Sequence, residues 1–190
     1  MKVLGSVAKT AYYYKKIQGH SPHWKLQYQL KCKSTEYELN NWLKCSQIER
    51  YKPIAIVAKA QLSGIGQKSR SWFSPKGGIW LSAAYPVFST EFLNEMFSLS
   101  LAINLCEMLN TESIEVNLKW PNDIFFDSKK LIGFLPRVIT RGEETIYTRI
   151  GIGMNFLNKT PLEGIALSEI LNTKNICEYY WTAKILKRDI

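Results

Sequence analysis

A chain of 190 residues fits a single folded domain, and its 46% hydrophobic content, with six Trp, ten Tyr and eight Phe, supports a packed core rather than disorder. The net charge of +9 is compatible with nucleic acid, an anionic surface, acidic partners or phosphorylated ligands, and so selects none of them. No apolar run reaches the roughly 18–20 residues of a membrane span, and the N-terminus, with Lys2, Lys9, Lys15 and Lys16, lacks the apolar core of a secretory signal.

Taken in chain order, the first residues read as a basic tail. His20 and His23 fall in a loop with no neighbouring carboxylate or Cys, which points to solvated side chains and not to a metal site. Residues 24–30 alternate apolar and polar, the pattern of a half-buried strand. Ser34 or Thr35 then supplies an N-cap for a helix through Leu39, Trp42 and Leu43. Residues 53–58 are a short β-branched run, an inner strand. Residues 63–78 form a long polar loop with four Gly and the cations Lys68, Arg70 and Lys76. Loops of that length in compact domains are usually functional or disordered.

Residues 79–87 read as another strand. A helix follows, capped by Ser89 or Thr90 with Glu91 near its positive end. Leu93, Phe97, Leu101, Leu105 and Met108 make it apolar on much of its circumference and so well buried. Three further strands are expected: 116–120 running on to 126, then 130–139 and 145–156. Arg141-Gly142-Glu143-Glu144 makes the turn between the last two. The tail from Leu162 holds one or two helices. The pattern predicts one α/β (α+β) domain over residues 1–190, a mixed, mostly antiparallel sheet packed with helices. Cys32, Cys45, Cys106 and Cys177 are widely spaced, without a C-x-x-C pair, which predicts reduced thiols and a cytoplasmic protein with no zinc or redox centre.

Three polar segments sit at strand ends. In the first, Gly64 and Gly66 let backbone N–H groups approach an anion, Lys68 and Arg70 add charge, and Trp72 offers a face for a base. Taken in isolation, the segment reads better as a plain surface connection. Two nucleotide motifs fail here: Ser69 stands where a Rossmann fingerprint needs its third Gly, and Gln67 precedes Lys68-Ser69 where a Walker loop needs Gly. The second segment is Lys119-Trp120-Pro121-Asn122-Asp123, followed by Lys130 and Gly133. It is either a strand end with a turn or a carboxylate placed beside a phosphate site to help hold Mg²⁺. Lys130, on a strand at the head of an apolar run, suits the task of drawing a carboxylate and a phosphate together. The third, Gly151-Ile152-Gly153-Met154-Asn155, serves close strand packing or close approach of a ligand.

In order and spacing, Ser34-Thr35, Gln61, Gly64-x-Gly66-x-x-x-Arg70-x-Trp72-x-Ser74-Pro75-x-Gly77, Lys119-Trp120-Pro121-Asn122-Asp123, Lys130-x-x-Gly133 and Gly151-x-Gly153-x-Asn155 resemble the biotin–protein ligase family, over about residues 30–160. The resemblance implies a catalytic domain related to those of lipoate ligases and class II aminoacyl-tRNA synthetases. It implies a ligase that forms a C–N bond: ATP converts biotin to biotinyl-5′-AMP, and a carrier lysine then takes the biotinyl group. By the same resemblance Lys130 and Arg70 are catalytic. Biotin is assigned to Ser34, Thr35, Glu36, Gln61, Gly66, Gln67, Lys130 and Gly133. ATP or the adenylate is assigned to Gly64, Ile65, Gly66, Gln67, Lys68, Arg70, Trp72, Asn122, Asp123 and Asn155, and Mg²⁺ to Asp123.

The implied partner is the biotin carboxyl carrier protein of acetyl-CoA carboxylase, with ATP, Mg²⁺ and biotin as small molecules and a monomer or homodimer as the assembly. No DNA or membrane partner is expected. Only about 30 residues precede Ser34-Thr35, a strand plus a basic tail, so no helix-turn-helix module fits. The small β-barrel appended in many relatives is expected to be absent or reduced to residues 165–190. The chain also departs from the family. Ile65 and Gln67 stand at the first two Arg positions of its Gly-Arg-Gly-Arg-x-Gly-Arg loop, Ser69 at its last Gly, and Glu36 at the Asn that usually follows Ser-Thr. The alternatives are a catalytically impaired relative, a lipoate-ligase-type acyl-adenylating enzyme, or a basic nucleic-acid module.

Overall fold

Strand alternation sorts the inner residues onto the two faces of a seven-stranded sheet. The computed structural model describes residues 5–20, 24–45, 52–86, 95–141 and 144–187. Along the chain run α1 (Ser6–Gln18), β1 (Lys25–Gln29), α2 (Thr35–Cys45), β2 (Ile54–Ala58), β3 (Gly64–Ile65), β4 (Ser71–Trp72), β5 (Ile79–Pro86) and α3 (Glu95–Asn110). Then come β6 (Asn117–Lys119), β7 (Asp123–Phe126), β8 (Lys129–Arg141), β9 (Glu144–Met154), α4 (Leu167–Ile170) and α5 (Glu178–Lys187). The strand order is β1-β2-β5-β9-β8-β7-β6, with β1 and β2 parallel and the other neighbours antiparallel. This is the mixed, mostly antiparallel sheet that the patterning predicts. Among the described residues no helix is long and apolar enough to cross a membrane.

On one face Val57, Leu81, Ala83, Ile150 and Ile152 meet Phe97, Leu101 and Leu105 of α3 and Trp181 and Ile185 of α5 in the main core. On the other, Ile54, Ile56 and Ala84 pack under Leu39 of α2. Farther along this second face the sheet carries Ser82, Gly133, Gly151 and Gly153, with Ser82 paired to Gly151 and Gly133 to Gly153. Large side chains give way to glycine and serine there, and the floor of a cavity opens.

Three local expectations need correction. The N-terminal tail contains α1, whose buried stripe is only Thr10 and Tyr14, flanked by Tyr13 and Ile17. A stripe so weakly apolar, among lysines, gives a faint helical period. The helix stops at Gly19, where a left-handed φ of 78° lets its N–H reach Lys15 O at 2.7 Å. The 116–126 stretch is two strands, because the chain reverses through Trp120-Pro121-Asn122 and β6 pairs antiparallel with β7. The 63–78 loop has its own ribbon of β3 and β4 around a 3₁₀ turn at Gln67–Ser69. Helix α3 is buried along Phe97, Leu101, Leu105 and Met108, as the apolar recurrence predicts, with Leu99 and Ile103 turned outward at 39% and 48% exposure. The cap at Ser89 or Thr90 with Glu91, the turn residues Gly142 and Glu143, and His23 lie outside the described residues.

Helix α5 is tied to the end of α3 by an ion pair of Lys184 with Glu112 and by Tyr180 Oη, which donates to Glu112 Oε1 at 2.8 Å. Burial and the Glu112 carboxylate push the Tyr180 hydroxyl up to about 12. Burial also acts to raise Glu112, but the hydrogen bonds from Lys184 and Tyr180 outweigh it and leave the carboxyl below its ordinary value. A depressed folded value stabilises the fold above the unfolded carboxylate pKa and loses that effect as pH falls through the folded value. Thermal melts should therefore separate wild type from Glu112→Gln at about pH 6, with the gap closing by about pH 3. A gap that stays constant would remove the linkage.

Candidate active site

The site is built on the glycine-and-serine part of the sheet, under the start of α2. Ser34 caps α2, its Oγ accepting the Tyr37 N–H at 3.1 Å. This settles the cap on Ser34 and turns Thr35 and Glu36 towards the sheet. Thr35 gives both its backbone N–H and its hydroxyl to Gln61 Oε1, at 2.7 and 3.1 Å, and accepts from Ser82 Oγ at 2.8 Å. Gln61 Nε2 donates to Ser74 Oγ at 2.8 Å. Every member of this chain of side chains is therefore held by a neighbour, which preorganises the polar wall.

Lys130 reaches the same face because β8 is irregular. Strict alternation from Gly133 would send Lys130 to the core face. Instead Ile124 pairs with Ile132 and Phe125 with Lys130, so Leu131 is an extra residue that resets the phase. Leu131 and Ile132 are both fully buried in the core, and the Lys130 ammonium emerges above the floor. Its Nζ lies 2.6 Å from Asp123 Oδ1 and 4.5 Å from the centroid of the Trp72 ring. Three backbone and side-chain bonds pin its main chain: Lys130 N to Glu163 O at 2.8 Å, Ile165 N to Lys130 O at 3.0 Å, and Asn155 Nδ2 to Lys130 O at 3.1 Å.

Trp72 lies flat on the floor. A Cβ added to Gly133 would stand 2.6 Å from the indole, and one added to Gly153 would stand 2.7 Å from its Nε1. The two glycines are cross-strand partners, so together they form the trough that receives the ring. Trp72 Nε1 is buried and has no hydrogen-bond partner among the described residues.

Two cavities adjoin here. One, of about 250 Å³, is lined by Thr35, Glu36, Gln61, Ser82 and the floor glycines. The other, of about 210 Å³, is lined by Phe73, Asn155, Pro161, Glu163 and Gly164. Ser71, Trp72 and Lys130 line both. A cation at the junction of two cavities can hold an anion from each side and bring the two together.

The structure gathers Thr35, Glu36, Gln61, Ile65, Gly66, Gln67, Arg70, Asn122, Asp123 and Gly133 at the first cavity, with Trp72 and Lys130. Asn155 lines the second, where its Oδ1 accepts from Asn158 Nδ2 at 3.0 Å. Ser34, Gly64 and Lys68 stand outside both linings. Ser34 is spent on its cap, Gly64 is packed against Ser74 and the Trp72 carbonyl, and Lys68 is exposed at a left-handed φ of 51°. Among the described residues no group of three His, Cys, Asp or Glu side chains is placed to hold a metal ion.

Two members of the site escape sequence reading, Ser82 and Arg149. Ser82 carries a signal, a polar residue on the otherwise apolar run of β5, whereas Arg149 follows Glu144, Thr145 and Thr148 on β9 and does not stand out. Arg149 Nη2 donates to Glu36 O at 2.9 Å and to Glu36 Oε2 at 3.2 Å, and Nη1 reaches Asn40 Oδ1 at 3.4 Å.

Comparison with known proteins adds the following. The family model described as the biotin/lipoate A/B protein ligase family matches residues 27–155. The chain is similar to the bifunctional ligase/repressor BirA of Bacillus subtilis, at 32% identity over 111 residues, covering 56% of this chain and 33% of the relative. It is similar to biotin–protein ligase 2 of Arabidopsis thaliana, at 27% identity, covering 70% of this chain and 40% of the relative. The chain thus spans between a third and two fifths of the length of these curated relatives. Among solved structures it is similar to the biotin protein ligase of Aquifex aeolicus in complex with biotin and ATP. That match has a TM-score of 0.70 and 29% identity, and covers 86% of this chain and 67% of the other.

Proposed function

Since this chain belongs to the biotin/lipoate A/B protein ligase family, we propose that it activates biotin with ATP and transfers the biotinyl group to a lysine of a biotin carboxyl carrier protein. The observation that carries this reading is the pair of cavities sharing Lys130 and Trp72. Biotin takes the cavity of Thr35, Gln61 and Gly133, where a polar end meets a flat floor. The nucleotide takes the cavity of Asn155, with Trp72 against the base. The acid's carboxylate and the α-phosphate then meet at the Lys130 ammonium.

The first step forms a bond from the carboxylate oxygen to the α-phosphorus and breaks the bond to pyrophosphate. In the second, the carrier lysine's amine attacks the acyl carbon, loses its proton, and AMP leaves. Both steps gather negative charge on phosphate oxygens, which Lys130 and Arg70 offset. Asp123 orients the Lys130 ammonium. Mg²⁺ would come with ATP and help to offset the charge of its phosphates, and Asp123, which lines the first cavity beside Lys130, would be the residue to help hold it. The test is transfer of labelled biotin onto an apo biotin-carrier domain of acetyl-CoA carboxylase, with lipoate as competitor. Label on the carrier lysine supports the proposal; preferential transfer of lipoate overturns it.

The loop over the first cavity carries Gln67 and not an arginine. Hydrogen bonds to charged groups contribute about 1.5–3 kcal/mol, against about 0.5–1.5 for neutral ones. A neutral Gln67 should therefore let the adenylate leave faster, and Gln67→Arg should slow its release by roughly tenfold. Equal off-rates in a filter-binding chase would show that Lys68 or Arg70 already holds the phosphate.

A further inference from the structure

The second cavity takes its polarity from a residue that does not line it. Asn155 lines that cavity, and Asn158, three residues on, is 4% exposed and stands in neither lining. Asn158 Nδ2 donates to Asn155 Oδ1 at 3.0 Å and to Lys159 O at 3.2 Å, and its Oδ1 accepts the Phe156 N–H at 2.9 Å. Between the two, the Leu157 N–H is tied to Gly77 O at 2.7 Å, which fixes the turn that carries Asn158 to the end of the 63–78 loop.

A side-chain amide can be turned end for end with almost no change of shape, so its partners decide which end is which. Asn158 is fixed by two backbone groups of opposite and unalterable sense. The Phe156 N–H can only donate and claims the amide oxygen; Lys159 O can only accept and claims the nitrogen. Asn158 therefore meets Asn155 with an N–H. At its other end Asn155 faces Lys130 O at 3.1 Å, a contact that also requires Nδ2 there. The two neighbours agree, and Asn155 keeps one Nδ2 hydrogen and one Oδ1 lone pair for a ligand in the cavity. A nucleotide meets a donor and an acceptor in the right places only while that order holds.

We propose that Asn158 is a positioning residue for the nucleotide: it locks the Asn155 amide the right way round without touching the ligand itself. This rests on the reading of the second cavity as the nucleotide's and adds to it a residue that acts through Asn155.

The test compares wild type with Asn158→Asp, Asn158→Ala and Asn155→Ala, and with each Asn158 substitution placed in the Asn155→Ala background. Asn158→Asp keeps the shape and the acceptor for the Phe156 N–H, but an ionised carboxylate has no proton for Asn155. Asn155 then cannot serve both neighbours: turned, it aims its oxygen at Lys130 O, and unturned, its oxygen faces a carboxylate. The KM values for ATP and biotin and kcat are read from pyrophosphate release, and folding from thermal melts. Asn158→Asp should raise KM for ATP by roughly tenfold and leave KM for biotin within about twofold of wild type. The fall in kcat should be smaller than the rise in KM, because the Lys130 main chain keeps its bonds with Glu163 and Ile165. Asn158→Ala leaves room for a water to donate in place of the amide, and should raise KM for ATP by about threefold. Packing alone would rank the two variants the other way, since alanine removes more buried atoms. In the Asn155→Ala background either substitution should change KM for ATP by less than about twofold, whereas repulsion between a new carboxylate and the phosphates would persist there. Unchanged KM for ATP in a folded Asn158 variant, a larger rise in Asn158→Ala than in Asn158→Asp, or full additivity with Asn155→Ala overturns the role of Asn158 alone. If Asn158→Asp does not fold, Asn158→Ala and its combination with Asn155→Ala decide. Unchanged KM for ATP in a folded Asn155→Ala overturns the nucleotide reading of the second cavity with it.

Discussion

Lys130→Ala is expected to slow adenylate formation by about 10²–10³-fold while the chain stays folded. The size follows from position. Lys130 is the one ammonium lining both cavities among the described residues, and its backbone is pinned by Glu163, Ile165 and Asn155. A cation fixed before the reaction needs no reorganisation when charge develops between carboxylate and phosphate, whereas water in its place does. Lys130→Arg keeps the charge but spreads it over a planar fork, and should recover only part of the rate. Stopped-flow pyrophosphate release at saturating ATP and biotin reads the step directly. Wild-type turnover by a folded Lys130→Ala would remove Lys130 from the chemistry.

Substitution of the floor should do almost as much damage from a distance. Gly153→Ala or Gly133→Ala would put a methyl group within 2.7 Å of the Trp72 indole, so the ring must lift from its trough. That ring is also the surface against which the Lys130 ammonium rests, and it walls both cavities. Misplacement by about 1 Å near reacting groups can cost about 10²-fold, and kcat/KM should fall by about that much in either variant. The cause is testable by non-additivity. In a Trp72→Ala background the indole is gone, and adding Gly153→Ala should then cost little more. Fully additive losses would mean that the glycines act on the fold and not through Trp72.

How far these features could be read beforehand depended on the local signal. β2 and β5 were readable because β-branched and small apolar residues alternate between two buried faces, and the strands appear at Ile54–Ala58 and Ile79–Pro86. Helix α1 was not, because its inward stripe is Thr10 and Tyr14 and its outward face is rich in lysine. The hairpin of β6 and β7 hid inside one apolar run, since a reversal through Pro121 and Asn122 leaves no gap in hydropathy. Lys130 stood out as a cation at the head of the apolar run 131–136, but the bulge at Leu131 that aims it is a property of strand pairing, which single-residue patterns do not encode. The same holds for the two halves of the Glu36–Arg149 pair, which lie 113 residues apart and meet only once α2 docks on the sheet. Glycines 133, 151 and 153 were visible as glycines. That they share one face, and clear it for an indole and a carboxylate, follows from the β8–β9 register.

The most direct measurement is a single-turnover reaction of the folded chain with ATP, Mg²⁺ and biotin, quenched and separated by liquid chromatography with mass detection. Biotinyl-5′-AMP and pyrophosphate should appear together, in equal amounts, and only when biotin is present. Pyrophosphate that forms without biotin, or a folded chain that yields neither product, would contradict the meeting of an acid and a nucleotide at Lys130.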